Sequence, residues 1–270
     1  MTSAYSRLEG KVAVITGGAS GIGEAAARLF ASHGAAVVIA DIQDDLGRSV
    51  AASISPSGNC TFVHCDVRDE AQVAAAVAHA VEAHGRIDVM FSNAGVVGTM
   101  ASVLELDLAE LDNVMAVHLR GAAASIKHAG RAMAAGGSII CTASVASVQA
   151  GFAPAAYVAA KHAILGLVKA AAAELGPNGV RVNCVSPFGL ATPLMCSAMG
   201  MSPQKVDDVT SAASVLKGKV LKTEDVAAAA LFLASDESAF VSGHNLIVDG
   251  ATTVVGASLS AVLQLSSHAN

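Results

Sequence analysis

Tyr157 and Lys161 stand four residues apart in an alanine-rich stretch, Tyr157-Val158-Ala159-Ala160-Lys161. On a helix, residues at i and i+4 share one face. An ammonium beside a phenol favours the phenolate, and an unperturbed tyrosine keeps its proton to about pH 10. With that cation alongside, Tyr157 would exchange a proton near neutrality, as a general acid or base must. A surface helix carrying an unrelated Tyr and Lys has the same spacing, so the pair needs support from the rest of the chain.

That support begins at the other end. Residues 11–16 (KVAVIT) form a short β-branched run, followed at once by Gly17-Gly18-Ala19-Ser20-Gly21-Ile22-Gly23 and then by helical periodicity over residues 24–33. Strand, glycine turn and helix in this order allow close approach of backbone to a pyrophosphate. The helix N-terminus adds free N–H groups and the positive end of its dipole. A second strand over residues 35–40 ends at Asp41, eighteen residues after Gly23. Dinucleotide folds place a ribose-binding acid at about this distance, roughly 20 residues on. A carboxylate there binds ribose hydroxyls and repels a 2′-phosphate, and neither the turn nor residues 42–46 hold a Lys or Arg. The cofactor expected is NAD. Asp is also a good helix N-cap, and that role stays open beside the first.

The elements that must position these residues alternate. Strands are expected at residues 59–65, 87–92, 138–142, 181–185 and 245–248. Helices are expected at 69–84, 108–133, 155–175 and 223–234, the last with Thr223 as N-cap. The pattern predicts an α/β fold: one Rossmann-like domain over residues 1–270, a doubly wound parallel sheet of about seven strands with helices on both faces. Ligands in such sheets lie beyond the carboxyl ends of the strands. The glycine turn, Asp41, Asp66, Asn93, Ser144 and Pro187 all fall there.

Jointly these residues resemble the short-chain dehydrogenase/reductase family. Thr16-Gly17-x-x-x-Gly21-x-Gly23 is similar to its cofactor turn and Asn93-Ala94-Gly95 to the motif that steadies its central sheet. Ser144 precedes Tyr157 by thirteen residues, and Lys161 completes YxxxK. Arg181-Val182-Asn183 and Ser186-Pro187 fit the segment after the sixth strand. The resemblance implies roles. Tyr157 exchanges the proton, Ser144 orients the substrate oxygen, and Lys161 binds the nicotinamide ribose and lowers the tyrosine pKa. Asp66 and Val67 flank the adenine, Asn93 lies near its ribose, and Thr192 holds the carboxamide. Gly17, Ser20, Gly21, Ile22, Gly23, Asp41, Ile42, Ala94, Gly95 and Pro187 complete the cofactor set. One departure matters: His118 stands where most members have Asn, whose backbone holds a water in the proton relay. Its imidazole would either join that relay or simply pack. A second is Phe188, an aromatic usual in the plant branch.

Residues 190–220 lie where the family keeps its substrate lid. Residues 182–204 carry no charge and include Leu194, Met195, Met199 and Met201. Such a wall suits a small hydrophobic alcohol or ketone, because Met adapts to irregular shapes; lid packing alone would also explain it. Ser144, Val145, Phe152, Tyr157, Phe188, Leu194 and Met195 are the expected substrate contacts. Several segments resemble plant secondary-metabolism members, with the lid most similar to those acting on monoterpenols of the borneol type. A dehydrogenase of another plant terpenoid, steroid or lignan alcohol, or a non-redox cyclase or isomerase retaining NAD, remains an alternative.

Composition narrows the class further. A 53% hydrophobic, 14% charged chain of net charge −6 has ample core and is a poor nucleic-acid partner. Residues 132–160, 182–204 and 250–270 lack Asp, Glu, Lys and Arg, but they mix in Gly, Ser, Thr or Pro, so no membrane span is expected. Five cysteines without CxxC spacing and nine histidines without HxxxH predict free thiols, no metal and a reducing, cytoplasmic setting. The helices over 108–133 and 155–175 resemble those through which family members form homotetramers, and the uncharged C-terminal tail would cover a neighbour.

Overall fold

The computed structural model describes residues 6–55, 58–133 and 136–255; most of the C-terminal tail lies outside them. Strands β1 (Val12–Thr16), β2 (Ala36–Asp41), β3 (Cys60–His64), β4 (Val89–Ser92), β5 (Ser138–Thr142), β6 (Arg181–Pro187) and β7 (Asn245–Val248) form one sheet in the order 3-2-1-4-5-6-7. Every pairing is parallel. The strands read as continuous apolar runs because both faces are covered. Within β1, Val12 and Val14 face one core while Ala13 and Ile15 face the other, the period of two that a pleated strand imposes.

Helices α1 (Gly21–Ser32), α2 (Asp44–Ile54) and α9 (Thr223–Ala234) cover one face. The other carries α3 (Glu70–His84), α5 (Gly121–Ala132) and α6 (Ala155–Leu175). The chain leaves β3 on one side and restarts at β4 beside β1. The crevice between the carboxyl ends of β1 and β4 is therefore the point where strand order reverses, the usual ligand site of such sheets.

Three local expectations change. The single helix over 108–133 is α4 (Leu108–Met115), a π turn (Ala116–Arg120) and α5. The N-cap of α9 is Lys222, not Thr223, because Asp225 reaches back to accept from the Lys222 N–H at 2.9 Å. The lid is two short helices, α7 (Pro193–Met199) and α8 (Pro203–Ala213). Thr192 and Ser202 cap them by accepting from the N–H groups of Met195 and Lys205, with Pro at the first helical position.

By length and mean hydropathy the segment Ala155–Asn178, which contains α6, would also suit a membrane span. It lies along the sheet instead, with Ile164, Val168 and Ala171 in the core and Lys161 buried. Cys60, Cys65, Cys141 and Cys184 are free and buried, as expected, and Cys196 is half-buried. Among the described residues no group of three acidic, His or Cys side chains is placed to hold a metal.

Candidate active site

The glycine turn is built by exclusion of side chains. Gly17 has φ +65°, and a Cβ there would lie 2.8 Å from the Ala94 Cα. A Cβ on Gly23 would lie 2.0 Å from the Gly17 carbonyl oxygen. Gly21, φ +55°, packs against Thr192, whose side chain would be 3.4 Å from an added Cβ. The cofactor turn and the first residue of the lid are thus in contact.

Polar side chains staple this turn to the strand ends. Asn93 donates from Nδ2 to the carbonyls of Thr16 (3.1 Å) and Gly17 (3.2 Å) and accepts at Oδ1 from Thr142 (3.0 Å). Thr16 Oγ1 accepts from the N–H groups of Asn93 and Ala94. The Asn93 side chain therefore has no donor left for a nucleotide, and any cofactor contact there belongs to the main chain. Asp41 is buried. Its Oδ2 accepts from the Ala19 N–H of the turn and its Oδ1 from the Gln43 N–H, each at 3.0 Å. It does not cap α2, whose N-cap is Gln43. The Gln43 side-chain amide also donates to Oδ1, at 3.4 Å; of about four lone-pair sites on a carboxylate, one then remains for a ribose hydroxyl.

Of the residues expected around an adenine, Ile42 is exposed and Val67 buried. The Arg68 guanidinium grips Asp66 and holds its carboxyl below the usual carboxylate range; the same arginine reaches Asn113 on α4 at 3.0 Å. Ser20, half-buried, precedes α1 without capping it. Its hydroxyl stands at a helix N-terminus whose N–H groups await an anion.

The residues expected to be catalytic lie at the end of β5 and the start of α6. Ser144 is extended and leads into a short 3₁₀ turn, Val145–Ser147. Its Oγ accepts from the Ala146 N–H at 3.1 Å, and its hydroxyl hydrogen-bonds the Tyr157 side chain. Lys161 is 2% exposed, and its Nζ donates to the Thr142 carbonyl at 2.7 Å. Nζ lies 5.3 Å from the centre of the Tyr157 ring, within cation–π range. Burial drives the Lys161 pKa down to about 7.

The lowered Tyr157 pKa expected from Lys161 is not what the structure gives; the phenol is raised. Part of the tyrosine's surface is accessible, but its hydroxyl sits in dense surroundings. Burial pushes the phenol up, and the neighbouring Ser144 side chain pulls it down. Desolvation of the phenolate is the larger of the two.

His118 sits in the π turn, 3% exposed, edge-on to Tyr157 with ring centres 5.3 Å apart and planes at 90°. Its Nε2 lies 2.7 Å from the Val96 carbonyl oxygen. Burial first, then the Lys161 charge, hold its pKa down at about 3, against a small upward pull from the Val96 bond. A shift in this direction favours the neutral imidazole near pH 7.

Of the expected substrate contacts, Val145 is buried, Phe188 and Met195 are half-buried, and Phe152 and Leu194 are 45% and 44% exposed. Pro187 ends β6 beside Val248. A cavity of about 580 Å³ opens next to the Phe152 loop, lined by Ala150, Gly151, Ala153, Val158 and His162 among others; Ser144 and Tyr157 do not line it. Sequence reasoning missed Thr142, which holds Lys161 with a main-chain carbonyl that no residue type signals.

Comparison with known proteins agrees with this geometry. The sequence model of a family described as Enoyl-(Acyl carrier protein) reductase matches residues 17–253. Short-chain dehydrogenase reductase 3b of Arabidopsis thaliana is 56% identical over 92% of this chain and 98% of that protein. Momilactone A synthase of Oryza sativa subsp. japonica is 53% identical over 93% of each. The solved structure of levodione reductase superposes with a TM-score of 0.85 at 30% identity, covering 92% of this chain and all of that one.

Proposed function

This chain belongs to the short-chain dehydrogenase/reductase family, and we propose that it interconverts a small hydrophobic secondary alcohol and its ketone with NAD, the alcohol being a cyclic monoterpenol of the borneol type. One observation carries the redox reading: a buried lysine anchored on the strand carbonyl of Thr142, against the ring of a tyrosine, at the mouth of a glycine cradle.

The residues fit a dinucleotide. Gly17, Gly21, Ile22 and the first turn of α1 would take the pyrophosphate, and Asp41 the adenosine ribose. Asp66 and Val67 would flank the adenine, and Thr192 the carboxamide. Charge supports NAD over NADP: a 2′-phosphate would meet the Asp41 carboxylate, and Arg48 and Arg68 are already matched with Asp44 and Asp66.

Bound nicotinamide supplies the hydride acceptor or donor. The chain's own residues handle the oxygen and its proton. Ser144, its Oγ lone pair occupied by Ala146, donates to the substrate oxygen and sets its orientation. Tyr157 takes the hydroxyl proton in oxidation and returns it in reduction. Lys161, anchored at Thr142, keeps two further N–H groups for a ribose and offsets the charge that Tyr157 gains. The uncharged lid supplies apolar contact for a substrate without ionised groups.

The test is direct. Purified protein with NAD and borneol should raise absorbance at the NADH band, with NADP far weaker. No signal over a panel of terpene, steroid and lignan alcohols would overturn the reading; product formed without cofactor turnover would favour the non-redox alternative. We extend the proposal to a cytoplasmic homotetramer packed through α5 and α6. Its support is an exposed stripe of small residues on α6, Gly166, Ala170 and Ala173, which lets helices approach closely. Light scattering showing a monomer at micromolar concentration would remove it.

A further inference from the structure

The turn that carries Ser144 is closed more tightly than its backbone requires. The Ser147 N–H donates to the Ser144 carbonyl at 2.9 Å, and that one bond is enough to make the 3₁₀ turn over Val145–Ser147. The Ser147 hydroxyl donates to the same oxygen at 2.5 Å. Ser144 and Ser147 are both buried. The second bond is therefore made out of water, where an unpaired hydroxyl would be costly.

The neighbouring protons leave this hydroxyl no other direction. Ser186, fully buried near the end of β6, has its Oγ 3.5 Å from the Ser147 Oγ. A serine hydroxyl has one proton. Ser186 gives its own to Asn245 Oδ1 on β7 at 2.6 Å, the length of a bond donated by a hydroxyl. Ser186 thus faces Ser147 with a lone pair, at a distance where little is gained. The Ser147 proton goes to the Ser144 carbonyl, an oxygen that can only accept.

The side chain of Ser144 is held within the same turn. Its Oγ accepts from the Ala146 N–H at 3.1 Å and hydrogen-bonds the Tyr157 side chain. The carbonyl fixes the peptide plane that follows Ser144, and the Cα–Cβ bond leaves the backbone beside that plane. A turn free to rock about the carbonyl would carry Oγ with it.

We infer that Ser147 is a positioning residue for Ser144: its buried hydroxyl pins the Ser144 carbonyl and so holds the Ser144 side chain against Tyr157. The consequence rests on the proposed reaction, in which Ser144 and Tyr157 share a substrate oxygen; the hydrogen bonds stand without it.

The chain offers a clean probe, because it holds two tyrosines, Tyr5 and Tyr157, and no Trp. Carbon-13 spectra of tyrosine Cζ, taken at pH 7 without cofactor, should show two signals, and Tyr157→Phe identifies the one that reports the phenol's hydrogen bonding. Ser144→Ala should move the Tyr157 signal. Ser147→Ala should move it in the same direction by less, and Ser147→Thr, which keeps a hydroxyl, should leave it near wild type. Ser147→Cys fills the space but donates only weakly, and should follow Ser147→Ala. In turnover, kcat should fall about three- to tenfold with Ser147→Ala, the size of one neutral hydrogen bond. KM for the alcohol should stay level, and Ser147→Thr should recover the rate. A Tyr157 signal at its wild-type position in both Ser147→Ala and Ser147→Cys would overturn the inference, even if both proteins were slower or less stable. So would equal signals in Ser144→Ala and wild type, because Ser144 would then not reach the phenol. The signal needs no substrate. If it moves as expected while no alcohol is oxidised, the positioning stands and the proposed reaction falls.

Discussion

The proposed nucleotide side and the proposed substrate side of this molecule are built on opposite plans. At the ends of β1, β2 and β4, Thr16, Asn93 and Asp41 already satisfy one another and the glycine turn through short hydrogen bonds. Nothing there waits to be organised. On the other side, Phe152, Leu194 and Met199 are 45%, 44% and 38% exposed, on a loop and on the short helix α7. Apolar surface left in water is surface that a hydrophobic substrate can cover. One half is a pre-assembled cradle whose tolerance for change is set by sterics. The other is a wall whose last contacts come from the ligand.

Tyr157 stands at the seam, and changing it should have the largest effect. Tyr157→Phe keeps the ring that packs on His118 and removes the proton carrier. Turnover should fall by a factor of about 100 to 10,000, the range of general acid–base catalysis, with the thermal midpoint and NAD affinity near wild type. Steady-state kinetics beside a thermal melt checks both. Undiminished oxidation would mean that the seam lies elsewhere and that neither half has been correctly assigned.

The second effect lies in the same place but is read in stability. Lys161 titrates at about 7 when folded, against a reference of 10.5. Between those values the unfolded chain binds one more proton than the native state, so stability rises with pH there. The contribution is fully present above pH 10.5 and lost as pH falls through 7. Relative to Lys161→Met, the folding equilibrium of wild type should improve about tenfold per pH unit across that window. Urea unfolding of both proteins from pH 6 to 10 measures it. Parallel curves would show that the lysine is not desolvated as the structure has it.

Third comes the cradle itself. Gly23→Ala places a methyl 2.0 Å from the Gly17 carbonyl, a backbone atom with nowhere to go. Overpacking of this kind costs about 1–3 kcal/mol, and the turn that reopens should lose most of its dinucleotide affinity. An unchanged urea midpoint with intact NAD binding would show a turn less tightly assembled than its hydrogen bonds indicate.

Legibility in the sequence follows the same division. The glycine turn, the Asp41 spacing, the strand ends and the Ser144, Tyr157 and Lys161 trio could be read because each depends on residue type at a set distance along the chain. The π turn could not. Val117-His118-Leu119-Arg120-Gly121 reads as uninterrupted helix, and its bulge is stabilised by His118 meeting Val96 and Tyr157, contacts distant in sequence. Nor could the balance at Tyr157 be read: the chain shows a cation four residues away but not how deeply the hydroxyl is buried. The lid helices were within reach. Thr192-Pro193 and Ser202-Pro203 are cap and first-turn signals, masked by an uncharged stretch that reads as pocket wall.

The smallest effect tests the wall. Phe152→Ala and Leu194→Ala remove side chains that are nearly half in water, so each should change stability by only about 0.5 kcal/mol. Their cost should appear in binding. A methylene moved from water into an apolar site is worth about 0.8 kcal/mol, so partial loss of a leucine or phenyl contact should raise KM several-fold while kcat stays level, the pattern of uniform binding. The control is substrate size. The rise should be pronounced with a bicyclic alcohol and nearly vanish with 2-propanol, which is too small to reach both residues. If the two alcohols respond alike, these side chains do not touch substrate and their exposure serves another surface. If kcat falls as well, they help to place the carbinol against Tyr157, and the wall belongs with the cradle after all.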